Sequence, residues 1–374
     1  MIIRTTFIKM YFYNSLLLVS NILTLTVHTQ SQDLNGIGIS ACGFYGARAE
    51  DCGLSDVPIS KIPVNCLSIF FDGVTVDLRY HVGVPCMCNP NFNQLDKILK
   101  MKGSKRVFLL YGHTTIQEWT AMLACESCNG GTNSLDEMKG LKAFLDEHPG
   151  IDGLVLTSLE YDDDSDEFMG YSENLKTYLE VMKKSFPNLF VGLDLSGRFL
   201  IDHFTNPRIP WLDITTVDSV TDFYVVSVVF LNECTGNDFR NGIAPITASY
   251  TNYTLDKLKD VLKQASIPKE KIHFKFKINP TSDPNDSFTY CDLTMEKICL
   301  QPQETCTWCV DTLKSFNEKG NYANKYGAGF IGSSIDFNDP DNCCNCEKPF
   351  PGFNAILDGF NGVTTKPCDL LNRN

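Results

Sequence analysis

The stretch GIDGLVLTSLEYDDD, from Gly150 to Asp164, is where chemistry first suggests itself. It is apolar through Ile151, Leu154, Val155, Leu156 and Leu159, then delivers Glu160, Tyr161 and three aspartates. A buried strand that ends on a carboxylate can aim a general acid into a cleft. Acid–base work by Glu160 would need a second carboxylate, such as Asp194 or Asp336, within about 5–9 Å. His113 closes another apolar run, RVFLLYGH, and is a second candidate for binding or catalysis, although no nucleophile is paired with it in the sequence. Asp162, Asp164 and Asp166, with Glu173 at the twelfth position, echo a calcium loop. Glu167 stands where that loop needs glycine, so a solvated acidic loop is expected instead, with no metal. Trp119, Trp211 and Trp308 suit either a sugar platform or a packed core.

Positioning these residues falls to a regular alternation of elements. Strands are expected at Ile37–Tyr45, Cys66–Phe71 (extending toward Leu78), Arg106–Tyr111, Ile151–Leu159, Leu189–Leu195, Asp222–Leu231, Ile272–Ile278 and Gly329–Phe337. Several are apolar with little alternation, which suits strands covered on both faces of a parallel sheet. Between them lie helical patterns. Ser134-Leu-Asp-Glu137 reads as a capping box opening a helix over Leu135–Glu147, with Leu135, Met138, Leu141 and Leu145 inward. Ser172–Phe186 carries Leu175, Tyr178, Leu179 and Met182 at helical spacing, and Thr254 can cap Leu255–Ala265. Asn93–Met101 and Val310–Asn317 look similar. Eight strands separated by helices in 374 residues predict an α/β protein with a single (β/α)8 TIM barrel. A doubly wound sheet is disfavoured, because Gly36-Ile-Gly38 is a poor phosphate turn. In a barrel, Glu160 falls at the carboxyl ends of the strands, where chemistry resides.

Composition narrows the setting. Arg4 and Lys9 precede an apolar stretch, Met10–Val27, and the small and polar residues HTQSQ follow. Residues 1–31 therefore read as a signal peptide and residues 32–374 as one barrel domain. Removing the leader takes two basic residues and no acidic ones, so net charge moves from −13 to −15. Such a surface repels nucleic acid and anionic lipid. All 16 cysteines lie beyond the leader, and an even count in a secreted chain predicts disulfides rather than zinc, even at Cys125-x-x-Cys128, Cys306-x-x-Cys309 and Cys343/Cys344/Cys346. Asn252-Tyr-Thr and Asn285-Asp-Ser are candidate glycosylation sites. No cofactor is implied.

Taken together, several segments resemble the family 18 glycoside hydrolases, the chitinases and their chitinase-like relatives. The clearest is YGAGFIGSSIDFNDPDNCCNCEKPFPGFNAI, similar to the family's closing strand, aspartate-rich turn and last helix. RVFLLYGH and Asp152-Gly153 followed by Leu159-Glu160-Tyr161 resemble its third and fourth strands. The resemblance implies a Cys42–Cys66 disulfide between the first two strands, next to the aromatic pair Phe44 and Tyr45. It also implies an α+β insertion between strands seven and eight, for which Asn279–Tyr326 is too short. The active members carry Asp-Gly-x-Asp-x-Asp-x-Glu, in which the glutamate protonates the glycosidic oxygen and the preceding aspartate turns to the substrate's acetamide, the true nucleophile.

Here the acid positions counted from Asp152 hold Val155, Thr157 and Leu159, and those counted back from Glu160 hold Ser158 and Leu156. A bulge could restore Glu160 to the lumen but could not supply its partner. The sixth strand has Ser227-Val228-Val229-Phe230 where the family has Met-x-Tyr-Asp. The third ends Leu110-Tyr111-Gly112-His113 in place of Ser-x-Gly-Gly, and Ser333 replaces the tryptophan under the sugar. The expectation is a secreted, non-catalytic chitinase-like protein that binds chitin or a related amino-sugar glycan, or acts in extracellular recognition or signalling. Tyr45, His113, Glu160, Tyr161 and Asp336 are its candidate binding residues. A divergent glycosidase using Glu160, and a protein-interaction scaffold with a closed cleft, are the alternatives.

Overall fold

The computed structural model describes residues 36–44, 61–77, 79–83, 94–113, 115–124, 132–159, 170–205, 212–238, 242–285, 292–368 and 371. Eight parallel strands close a barrel: β1 (Ser40–Phe44), β2 (Ser68–Val76), β4 (Arg106–Gly112), β5 (Gly153–Leu156), β6 (Phe190–Ser196), β7 (Phe223–Ser227), β8 (Ile272–Lys277) and β9 (Gly329–Ser333). Each pairs with the next, and β9 and β2 both pair with β1 to complete the ring. β3 (Val82–Gly83) is a short antiparallel addition to the end of β2 that the sequence did not announce. Helices α1 (Gln94–Met101), α2 (Ile116–Leu123), α3 (Thr132–Glu147), α4 (Tyr171–Ser185), α5 (Gly197–Thr205), α6 (Ile214–Val217), α7 (Leu255–Gln264), α8 (Met295–Leu300), α9 (Leu313–Tyr326) and α10 (Pro351–Phe360) lie between and after the strands.

Strand alternation divides the core in two. Outward residues such as Ile69, Leu109, Leu154, Leu193, Val226, Phe274 and Phe330 join the helices in one large apolar layer. Inward residues Ala41, Phe70, Phe108, Leu110, Val155, Phe223, Val225 and Ile331 form a separate cluster inside the barrel. Phe108 stacks on Phe70 at 5.1 Å and meets Phe223 edge-on at 5.5 Å. Small residues on neighbouring strands make room for these rings. A Cβ on Gly153 would lie 2.7 Å from the Phe108 ring, and one on Gly192 would lie 2.2 Å from the Phe223 ring. Below them, the Arg106 guanidinium covers Phe190 at 5.2 Å. The floor is thus a solid aromatic plug, as a packed barrel requires.

Three expected strands are shorter than their apolar runs. β5 stops at Leu156, β7 at Ser227 and β9 at Ser333, after which Ile335–Phe337 turns into a 3₁₀ helix. Past those ends Leu159, Val228, Leu231, Ile335 and Phe337 are buried without joining the sheet, whereas Phe230 is exposed.

The capping box is a correction. Ser134 sits inside α3, which begins at Thr132, and Glu137 is fully buried. Its carboxylate accepts from the Tyr111 and Tyr178 hydroxyls and so is turned away from any cap. Leu135, expected inward, is 50% exposed, and Phe144 joins Met138 and Leu141 in its place. A capping box with both reciprocal bonds instead opens α2, from Thr115 to Glu118. The helix expected at Val310–Asn317 is displaced: Thr312 caps α9, which runs on to Tyr326.

Four disulfides join the described segments: Cys42–Cys66, Cys234–Cys309, Cys299–Cys344 and Cys346–Cys368. The first is the pair that the resemblance implied. The others staple the long loop after β7, the segment between β8 and β9 and the chain's end to one another. Cys309, Cys344 and Cys346 are oxidised, whereas Cys306 and Cys343, also expected in disulfides, are free thiols, and Cys125 and Cys128 lie outside the described residues. Between β8 and β9 the described residues carry α8, α9 and one isolated bridge, Thr281 to Cys309, in place of a full insertion. Among the described residues no helix is long and apolar enough to cross a membrane.

Candidate functional site

At the carboxyl ends of the strands the lumen changes character. The inward register that places Phe190 and Phe223 on the floor brings Asp194 and Ser227 to the upper layer. On β8 the same alternation runs His273, Lys275, Lys277. Asp194 Oδ2 meets Lys275 Nζ at 3.2 Å, so the two strands are tied by an ion pair inside the barrel. Burial raises the Asp194 carboxyl above its ordinary range, opposed by the Lys275 ammonium and reinforced by Asp72. One layer up, Lys277 pairs in register with Ser333. Burial pulls its ammonium down to about 8. At the base of the same strand, burial keeps His273 neutral, down to about 4, with its ring edge-on to Phe223.

Above this layer stands Phe230. Val228 hydrogen-bonds to the Lys275 carbonyl and is buried, and the turn that follows leaves Phe230 70% exposed. Lys277 Nζ lies 5.5 Å from its ring centre. An exposed aromatic ring held over a polar, partly charged lumen is a surface on which the apolar face of a sugar can stack. The β8 sequence IHFKFKI carries a period-two signal that could have flagged Lys275 and Lys277, but a run so apolar reads as plain strand.

Of the expected binding residues, His113 and Asp336 are among the described residues. Tyr45, Glu160 and Tyr161 lie outside the described residues, as do Asp162, Asp164, Asp166 and Trp211. Asp336 is buried in the turn after β9. His113 is placed away from the lumen. It follows the inward Gly112, so it points into the helix layer, where its Nε2 lies 3.1 Å from Glu137 Oε2 and its ring packs 4.7 Å from Trp119. That is a correction for a residue expected at the open face: it is buried with the carboxylate that the capping box misplaced. Trp119 is fully buried and donates to the Thr157 carbonyl at 2.9 Å, and Trp308 is also buried, so neither offers a platform. Asn252 and Asn285 are both exposed.

The fourth barrel strand decides what acid can face the lumen. Asp152 sits at its amino end, ion-paired to Lys102 at 2.8 Å and accepting from the Val107 amide. It is a structural latch at the bottom of the barrel. The lumen positions that follow are Gly153 and Val155, with Thr157 half-buried beyond the strand end. Ser158 is left-handed, with φ of 60°, and Leu159 is buried in the outer layer. In an unbroken strand Leu159 would share the side of Val155, so the alternation shifts by one residue at Ser158. Among the described residues, no group of three or more histidines, cysteines, aspartates and glutamates could hold a metal ion.

Comparison with solved structures places this architecture. A Group IV chitinase from Ostrinia furnacalis superposes with a TM-score of 0.67, at 17% identity, over 87% of this chain and 100% of that one. The chain has the fold of the family 18 chitinases. An immunomodulatory active chitinase from Trichuris suis matches at 0.64 and 16% identity, over 86% of this chain and 99% of that one. Human YKL-39, a pseudo-chitinase with retained chitooligosaccharide binding, matches at 0.65 and 14%, again over 86% and 99%. No family model and no curated protein matches the sequence. The chitinase fold is therefore shared with both catalytic and non-catalytic proteins.

Proposed function

We propose that this chain is a secreted, chitinase-like protein that binds chitin or a related amino-sugar oligosaccharide at the barrel mouth without cleaving it. The observation that carries the reading is the contrast between β5 and β7. β5 and the residues just past it put Val155, Thr157 and Leu159 where the active pattern needs acids, while the turn after β7 leaves Phe230 exposed beside Lys277 of the lumen. Substrate-assisted cleavage needs a carboxylate to orient the acetamide as well as a proton donor. Loss of such a contact costs orders of magnitude in rate, whereas ring stacking alone sustains binding. The pseudo-chitinase among the structural neighbours retains chitooligosaccharide binding, which supports the same division here. Residues 1–31 would be removed as a leader, residues 32–374 would form the mature barrel, and Asn252 and Asn285 are its candidate glycosylation sites.

Asp194 supports one second reading, a divergent glycosidase, since burial raises its carboxyl toward an acid's working range. One paired assay separates the two. Purified protein is tested for hydrolysis of a fluorogenic chitooligosaccharide and for chitin pull-down in the same buffer. Binding without turnover, lost in Phe230→Ala, is the expected result. Turnover that disappears in Glu160→Gln or Asp194→Asn would establish the enzyme instead.

A further inference from the structure

A second opening lies beyond the carboxyl ends of β6 and β7, between the start of α5 and the loop that follows β7. Its volume is about 330 Å³, and Arg198, Asn232, Glu233, Asp238, Tyr250 and Tyr253 form its walls. None of Asp194, Lys275, Lys277 or Phe230 lines it. The loop is anchored by the Cys234–Cys309 disulfide, so the opening is held by covalent structure on one side and by a helix on the other.

Its walls are already built. Asp238 is buried and accepts from Thr235 and from Tyr250, each at 2.7 Å. Asn232 donates to the Ile243 and Tyr253 carbonyls at 2.9 Å and accepts from Thr251 at 2.7 Å. The Tyr253 hydroxyl donates to Asp202 at 2.8 Å, which fixes its ring. Arg198 lies over that ring, 4.9 Å from its centre. Among the described residues, no carboxylate oxygen stands within ion-pair distance of the Arg198 guanidinium. The guanidinium also engages the Tyr253 hydroxyl, and the N–H donors that remain on its fork match a carboxylate or sulfate. The ring of Tyr250, 44% exposed, offers a second apolar surface, and the exposed Glu233 can accept hydroxyls. The volume lies at the small end for ligand sites, which suits one sugar residue of a chain rather than a long segment.

We propose that this cleft is a second saccharide site, selective for a sugar residue bearing an oxyanion, with Arg198 gripping the carboxylate or sulfate against the Tyr253 and Tyr250 rings. The site is independent of the barrel mouth. The test titrates the folded full chain by calorimetry with hyaluronan tetrasaccharide, with a 6-sulfated N-acetylglucosamine oligosaccharide and with neutral chitotetraose. At least one acidic probe should bind and weaken at least about tenfold in Arg198→Gln, the loss expected for a charged bidentate contact. Arg198→Lys, which keeps the charge but not the fork, should recover only part of that loss. Phe230→Ala should leave acidic-probe binding unchanged while reducing chitotetraose binding. Circular dichroism confirms the fold of each variant, and Arg198→Lys carries the test if Arg198→Gln does not fold. Binding of neither acidic probe, or equal binding of an acidic probe by wild type and the Arg198 variant, would overturn the proposal. Loss of acidic-probe binding in Phe230→Ala would overturn it too, by assigning the probe to the mouth.

Discussion

The lower and upper halves of the barrel lumen are built on the same strands by the same alternation, yet they are opposite in character. Below, Phe70, Phe108, Phe190 and Phe223 fill the space that Gly153 and Gly192 leave open. Above, Asp194, Lys275, Lys277, Ser227 and Ser333 occupy the next inward positions, with Phe230 over them. The lower half contributes apolar burial; the upper half gives up apolar burial for polar groups that a ligand can meet. A barrel can afford this division because each strand places its first inward residues at one end and its last at the other.

The sharpest way to break that contrast is to hollow the floor. Phe108→Ala removes a ring that touches two others, and urea unfolding should show a loss of about 3–5 kcal/mol. A tolerated Phe108→Ala would mean that the floor is not the packed unit described. Next comes the buried pair. Lys275→Met leaves Asp194 without its partner and should cost about 3 kcal/mol or more, while the double variant with Asp194→Leu should recover much of it. If the double variant is no better than the single, the pair is held by something other than mutual compensation.

His273 joins the two halves and gives a pH signature. Its native state is neutral, with the transition lowered from 6.5 to about 4 by burial. The unfolded chain takes up a proton first as pH falls, so stability is full above pH 6.5 and declines toward about 4, by about 3 kcal/mol in all. Denaturation midpoints measured between pH 7 and 4 should show this fall, and His273→Phe should flatten it. A decline of equal steepness in that variant would assign the acid sensitivity elsewhere. The smallest stability effect is expected at the mouth. Phe230→Ala should move the unfolding free energy by less than about 0.5 kcal/mol, since the ring is mostly solvated, yet abolish oligosaccharide pull-down. A large loss of stability there would make Phe230 a packing residue.

Particular residues show how far the sequence could be read. The RVFLLYG and LFVGLDL runs became strands near their expected bounds, because apolar residues packed on both faces need only local pattern to be recognised. Thr254 caps α7 as its type predicts, since a cap is decided within four residues. Ser134 and Glu137 fit the same local rule and failed it, because Tyr111, Tyr178 and His113 come from distant strands and helices to claim the carboxylate. His113 went astray for a related reason: its residue type names a chemistry, but the parity of β4 decides which side of the wall it faces. Phe230 and Lys277 were missed because neither is unusual alone.

By itself, then, the sequence determined the eight-strand plan, the Cys42–Cys66 link through its resemblance to the chitinases, and the lack of an unbroken acid ladder along the fourth strand. These depend on residue type at positions close in the chain. The tertiary structure alone decided which half of the lumen is plug and which is mouth, that Asp194 and Lys275 meet across 81 residues, and that Arg198 lies open on Tyr253 in a cleft of its own. Those depend on strand register and loop anchoring, which set direction and neighbours only once the ring has closed.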